Sequence, residues 1–241
     1  MMKKKKPQKA TVESPVIKSK TIDFLKELKK NNERDWFSRH KDDYLAAHEN
    51  MISFADALLL ELNRHDTIET PSGRKSLFRI YKDVRFSKEK TPYNTHWSGA
   101  FRRATKKRRG GYYFHIKPGD NFLVGGFWGP NPDDLKRIRQ DIERNYKTWK
   151  KMLSAKSFTH TFGKLLGDRV STAPRGYAKD HPAIDLLRYK QFLLKHEFSD
   201  KEVLSPDFVI HANNTFKKMS PFFDYMSEVL TTDLNGISLV D

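Results

Sequence analysis

Apolar and polar residues alternate along this chain with two periods, and the switch between them marks the elements. From Thr21, a residue suited to an N-cap, Leu25 and Leu28 form a short helical stripe that Asn31-Asn32 breaks. A longer helix is predicted from about Arg34 to Leu62, with Phe37, Tyr44, Leu45, His48, Met51, Ile52, Ala55, Leu59 and Leu62 on one side. Thr70-Pro71-Ser72-Gly73 then closes the helical region. The period becomes two, and strands are predicted at 77–86, 97–103, 111–117 and 121–128. Lys117-Pro118-Gly119-Asp120 has the chemistry of a hairpin turn, and residues 104–110 read as an exposed, mobile basic loop.

After Trp128-Gly129-Pro130-Asn131-Pro132 the helical period returns. Asp133 and Asp134 stand where carboxylates favour a helix dipole, and Leu135, Ile138, Ile142, Tyr146, Trp149 and Leu153 carry the stripe. Further helices are predicted at 157–166, 183–188 and 206–230, with 189–197 extended; Asp180 is the expected N-cap, with Pro182 near the first helical position. Helices at both ends with strands between them give an α+β fold, a largely antiparallel central sheet flanked by N- and C-terminal helices. No internal repeat is visible. Residues 1–20 read as a disordered basic arm and 21–241 as a single domain.

Composition narrows the class. The chain has 241 residues, 37% hydrophobic and 32% charged, with 17 Phe and 9 Tyr, so it is a polar but core-forming protein. No apolar run is long enough to cross a bilayer, which predicts no membrane partner. Lys3 to Lys6 precede no apolar stretch, so the N-terminus does not read as a secretory signal. The absence of cysteine excludes disulfides, thiolate catalysis and Cys-ligated zinc, and suits a cytoplasmic location. A net charge of +16, part of it in the arm and part in Arg102 to Arg109, makes nucleic acid a candidate partner.

The densest chemistry lies in 78–96. Read as a strand, Phe78, Ile80, Val84 and Phe86 face a core, while Arg79, Tyr81, Asp83 and Arg85 face away, followed by Lys88, Lys90, Tyr93 and His96. Guanidiniums, ammoniums and phenols in a row suit a phosphate-bearing ligand, with Asp83 holding an Arg or acting as a base; a solvated face of ion pairs is the structural alternative. In the hairpin, Tyr113 and His115 share one parity, with Gly125-Gly126 opposite and Trp128 beyond, an arrangement able to stack a ring or to form an aromatic core. Arg175 and Tyr177, beside Asp180-His181-Pro182, suit a lid. Nine histidines show no metal-ligand spacing, and no phosphate loop or dinucleotide fingerprint is present.

Several blocks of the chain carry a family resemblance. Asn31-Asn32-Glu33-Arg34-Asp35-Trp36-Phe37, the whole of Phe78 to Tyr93, Gly111-Tyr112-Tyr113-Phe114-His115-Ile116, Gly125-Gly126-Phe127-Trp128 and Pro174-Arg175-Gly176-Tyr177 with Asp180-His181-Pro182 resemble domain of unknown function 2461. The resemblance runs from about residue 21 to 230 and implies a stand-alone α+β protein, with no activity or cofactor to carry over. It also implies that the polar positions belong to one shared design. The expected function is binding of a phosphorylated small molecule or a nucleic-acid phosphate. The alternatives are a hydrolase or phosphoryl-transfer enzyme using Asp83 and His115, and a non-catalytic interaction protein.

Overall fold

The computed structural model describes residues 15–83, 85, 90–104, 107–233 and 237–240. The arm expected over 1–20 lies outside these up to residue 14, and its far end is not an arm. Ile17 is fully buried, and Asn50 accepts from the Lys18 amide and the Thr21 hydroxyl while donating to the Val16 carbonyl. Helix α1 (Ser19–Lys30) therefore starts before Thr21, which is buried inside it and caps nothing.

The expected second helix is two, α2 (Arg34–Arg39) and α3 (Lys41–Leu62). His40 leaves helical geometry between them, its ring stacked 4.1 Å from Trp36 and its Nδ1 2.8 Å from the Trp36 carbonyl. A single turn, α4 (Gly73–Ser76), precedes the sheet. Its strands β1 (Trp97–Arg102), β2 (Gly111–Ile116), β3 (Asn121–Phe127) and β4 (Phe192–Phe198) pair in sequence order, all antiparallel. The helices that follow β3 are α5 (Pro132–Ser154), α6 (Lys156–Phe162), α7 (Ile184–Leu187), α8 (Asp200–Val203), α9 (Phe208–Lys217) and α10 (Ser220–Thr231).

The predicted 206–230 helix breaks before Pro221, because a proline ring inside a continuous helix would strike the carbonyl four residues back. Asp180 does not cap α7; the His181 ring accepts from the Ala183 amide instead. The expected strand at 77–86 is also absent over its described part. Leu77 bridges to Gly99 and Phe78 donates to Ser98, but Tyr81 then bridges to Tyr93, so the segment changes partner after two residues. The parity breaks with it: Ile80 is buried while Phe78 is 53% exposed, although a strand would put both on one face. Val84 and Phe86 lie outside the described residues.

The inner face of the sheet carries the core. Tyr112, Phe114 and Ile116 of β2 are fully buried. Phe114 meets Phe54 of α3 edge-on, and Tyr112 lies 4.8 Å from Phe216 of α9 and 5.0 Å from Phe223 of α10. Gly125 allows this approach, since a Cβ there would sit 2.3 Å from the Met219 sulfur.

One corner of the core is ionic. Asp66, after α3, has a side chain 2% exposed and accepts from Arg103 Nε at 2.7 Å, Tyr112 Oη at 2.7 Å, Arg108 Nη1 at 2.6 Å and the Thr67 amide at 2.7 Å. Arg103 also reaches Asp224 of α10 at 2.9 Å and the Arg109 carbonyl at 3.1 Å. Burial pushes the Asp66 carboxyl up, but the Tyr112 hydroxyl, the Arg103 charge and the Thr67 amide outweigh it and leave its pKa lowered. The basic stretch expected to be surface is thus partly an internal brace: Arg103 is 3% exposed, and Ala104 is buried.

Removing one member of a buried pair leaves an uncompensated charge, at about 3–5 kcal/mol, whereas an exposed pair is worth roughly 1 kcal/mol or less. Urea unfolding should therefore show Arg103→Met losing about 3 kcal/mol or more. Arg108→Met, whose side chain is 43% exposed, should lose about 1 kcal/mol.

Candidate functional site

Strand register fixes which side chains share the outer face of the sheet. Three rows cross it: Arg102, Gly111, Gly126 and Leu193; then Ala100, Tyr113, Val124 and Lys195; then Ser98, His115, Phe122 and Glu197. The first row has almost no side chain at its centre. Gly126 has φ +149, and a Cβ there would lie 2.1 Å from the Phe192 carbonyl oxygen, so only glycine fits.

Above that bare floor is a cavity of about 940 Å³, lined among others by Ala100, Gly111, Gly126, Phe78, Trp128, Arg102 and Arg109. Its aromatic walls are solvent-facing, Phe78 at 53% and Trp128 at 41% exposed, and both rings approach Tyr113, at 6.2 and 6.3 Å. Arg109 is engaged by Asp134 in the first turn of α5. Arg102 has an 80% exposed side chain and only a 4.0 Å approach to Glu69, which leaves its guanidinium available to an anion.

The third row is a stack of upright rings. His96 lies 4.2 Å from His115, which is stacked 4.6 Å from Phe122, and the Lys195 ammonium caps Phe122 at 4.4 Å. Tyr113 Oη and His115 Nδ1 share a 3.0 Å hydrogen bond. Burial, then His96 and the nearby lysines, lower the His115 pKa to about 4 against the opposing pull of Asp120. Burial, then Lys117 and Lys82, lower that of His96. Burial raises that of Tyr113. Near neutral pH the cluster therefore holds uncharged imidazole at His115 and phenol at Tyr113, capable of donating and accepting but not of serving as fixed charges.

The candidates named from sequence divide between this face and other places. His96, Tyr113, His115 and Trp128 come together on it. Tyr93 is 5% exposed and stacks 4.0 Å from Phe37, with Asn32 bonded to its backbone, so its ring belongs to the core. Tyr81 is exposed beside Phe37 and Tyr93. Arg79 and Lys90 are exposed. Arg85 Nη2 holds Asp83 at 2.6 Å on the surface, and hydrogen bonds from Arg85 lower the Asp83 pKa. Lys88 lies outside the described residues. Tyr177 sits near Arg139 and Glu143 of α5, and among the described residues no hydrogen bond or ring contact joins it or Arg175 to the outer face. The residues that sequence reasoning passed over are Phe78, assigned to the core, and Arg102 with the Gly111–Gly126 floor. The adjacent glycines Gly125 and Gly126 were the available signal; only register shows that one serves each face.

Comparison with known proteins gives one match. The model of a family described as conserved hypothetical protein (DUF2461) covers residues 20–225. No curated protein and no solved structure matches.

The histidine cluster sets a pH dependence. The folded His115 pKa, about 4, lies below the unfolded value near ~6.5, so its contribution to stability is complete above ~6.5 and is lost as pH falls through about 4. Asp66, lowered from the usual carboxylate value, adds its own loss only at more acidic pH. NMR titration should find the His115 ring titrating near pH 4, and His115→Phe should flatten the stability profile between about pH 4 and 6.5. A His115 midpoint near 6.5 would contradict this.

Proposed function

The chain belongs to the DUF2461 family, and from that premise we propose that it binds a phosphate-bearing ligand whose ring enters the cavity between Phe78 and Trp128. The observation that carries this reading is a cavity of about 940 Å³ on a glycine floor, with two exposed aromatic walls and Arg102 at its rim. Exposed rings next to bare backbone leave a planar group room to stack, and an Arg fork takes phosphate oxygens in pairs. Tyr113 borders both walls and hands the polar side of the site on to His115 and His96.

The anion-binding role moves in this reading from Arg79 and Arg85 to Arg102. Arg85 is engaged by Asp83, whereas the closest described carboxylate to Arg102 is 4.0 Å away. The hydrolase alternative draws no support from the geometry. Asp83 is tied to Arg85, and the groups whose charge acts most on His115 are His96, Asp120, Lys117 and Lys195.

Titration with nucleoside monophosphates tests the proposal through Trp128 fluorescence. The expected result is a saturable change that disappears in Trp128→Phe, with Arg102→Ala weakening binding about tenfold, the scale of a charge-assisted hydrogen bond. Absence of a saturable change with any ring-bearing phosphate, or a change indifferent to both substitutions, would overturn it.

A further inference from the structure

The cavity is one end of a longer surface. Along β2, Gly111 to His115 covers four residue steps, roughly 14 Å at ~3.4 Å each. A single nucleotide fills the cavity at the first row and leaves the second and third rows uncovered. Lysines flank those rows: Lys195 beside Phe122, Lys117 after β2, and Lys82 near His96. Their own partners are weak ones at the surface. Lys195 pairs with Glu197, whose side chain is 74% exposed, Lys117 reaches Asp120 at 3.3 Å, and Lys82 donates to the Thr91 hydroxyl. Exposed pairs of this kind contribute little, so a phosphate displaces such a partner at small cost.

The third row also has the means to touch a base. His115 stacks on Phe122 and meets His96 at a tilt of 31°; His115 is 8% exposed with its Nδ1 held by Tyr113, so the half-buried His96 is the imidazole that a ligand reaches. The His96 ring nitrogens have no hydrogen-bond partner among the described residues, and a neutral imidazole presents one donor and one acceptor. Such an edge complements the hydrogen-bonding edge of an unpaired base. A base held in a duplex could present neither its face to Phe78 and Trp128 nor its pairing edge to His96.

We infer that this open sheet face binds single-stranded nucleic acid, with one base between Phe78 and Trp128 and the following nucleotides crossing Tyr113 toward His96. The inference rests on the phosphate-ligand reading above and adds to it the polymer. The positive balance of the chain, +16, supplies long-range attraction for such a strand.

Fluorescence anisotropy with the full chain tests it, using a labelled eight-nucleotide single-stranded RNA, a hairpin duplex and unlabelled nucleoside monophosphate as competitor. The octamer is expected to bind at least tenfold tighter than the monophosphate and the duplex. Trp128→Ala should weaken the octamer roughly tenfold or more, the loss of one stacked base. Lys117→Ala with Lys195→Ala should lower the salt slope by about 0.7 per lysine. Octamer and monophosphate binding with equal affinity would overturn the inference while leaving the small-ligand reading intact. Octamer binding unaffected by Trp128→Ala would also overturn it. No binding of either ligand would remove both readings.

Discussion

A buried carboxylate, Asp66, organises the corner from which the outer face is built. Taking it out of water is costly, and it persists because four donors converge on it: two guanidiniums, a phenol and a backbone amide. These donors come from distant parts of the chain. Arg103 follows β1, Arg108 and Tyr112 flank the start of β2, and Arg103 carries the connection on to Asp224 in α10. The turn between β1 and β2 is thereby fixed to the end of α3 and to the C-terminal helix. Arg109, Gly110 and Gly111, which line the cavity, sit in that turn or at its exit. The chemistry of the open face thus depends on a brace on the opposite side of the sheet.

That dependence explains why the same basic run looks different in sequence and in structure. Arg102 and Arg103 are adjacent, yet strand geometry sends them to opposite sides: Arg102 to the cavity rim with its side chain 80% exposed, and Arg103 to the ionic corner at 1%. From composition alone both read as surface charge. The partner that draws Arg103 inward is 37 residues away, beyond the reach of any local pattern.

Strands β1 to β3, the Lys117–Asp120 turn and α5 were legible because alternation and turn chemistry are local signals. The breaks were less so. His40 interrupts α2 and α3 through its contact with Trp36 without being a helix breaker by type, and the run of alternating residues at 77–83 makes only two isolated bridges, to different partners, with a bend at Ile80 between them. On the site, parity grouped Tyr113 with His115, with Trp128 beyond, and the structure brings His96, expected with the 78–96 segment, against the same cluster. Parity could not reveal that Phe78 faces solvent, because the backbone there is not a strand. Nor could it tell Tyr93, packed on Phe37, from a ligand-facing phenol. The cavity floor was hidden for a different reason: it is made by the absence of side chains at Gly111 and Gly126, which becomes a surface only when two strands are placed in register.

Amide chemical-shift mapping during addition of a nucleoside monophosphate addresses the placement of the site most directly. The largest shifts should fall on the Gly111 and Gly126 amides and the Trp128 indole, with smaller ones at Tyr113 and His96. Shifts confined to residues 79–93, or to the surfaces of α5 and α10, with the two glycines and Trp128 unmoved, would contradict a site on the outer face of the sheet.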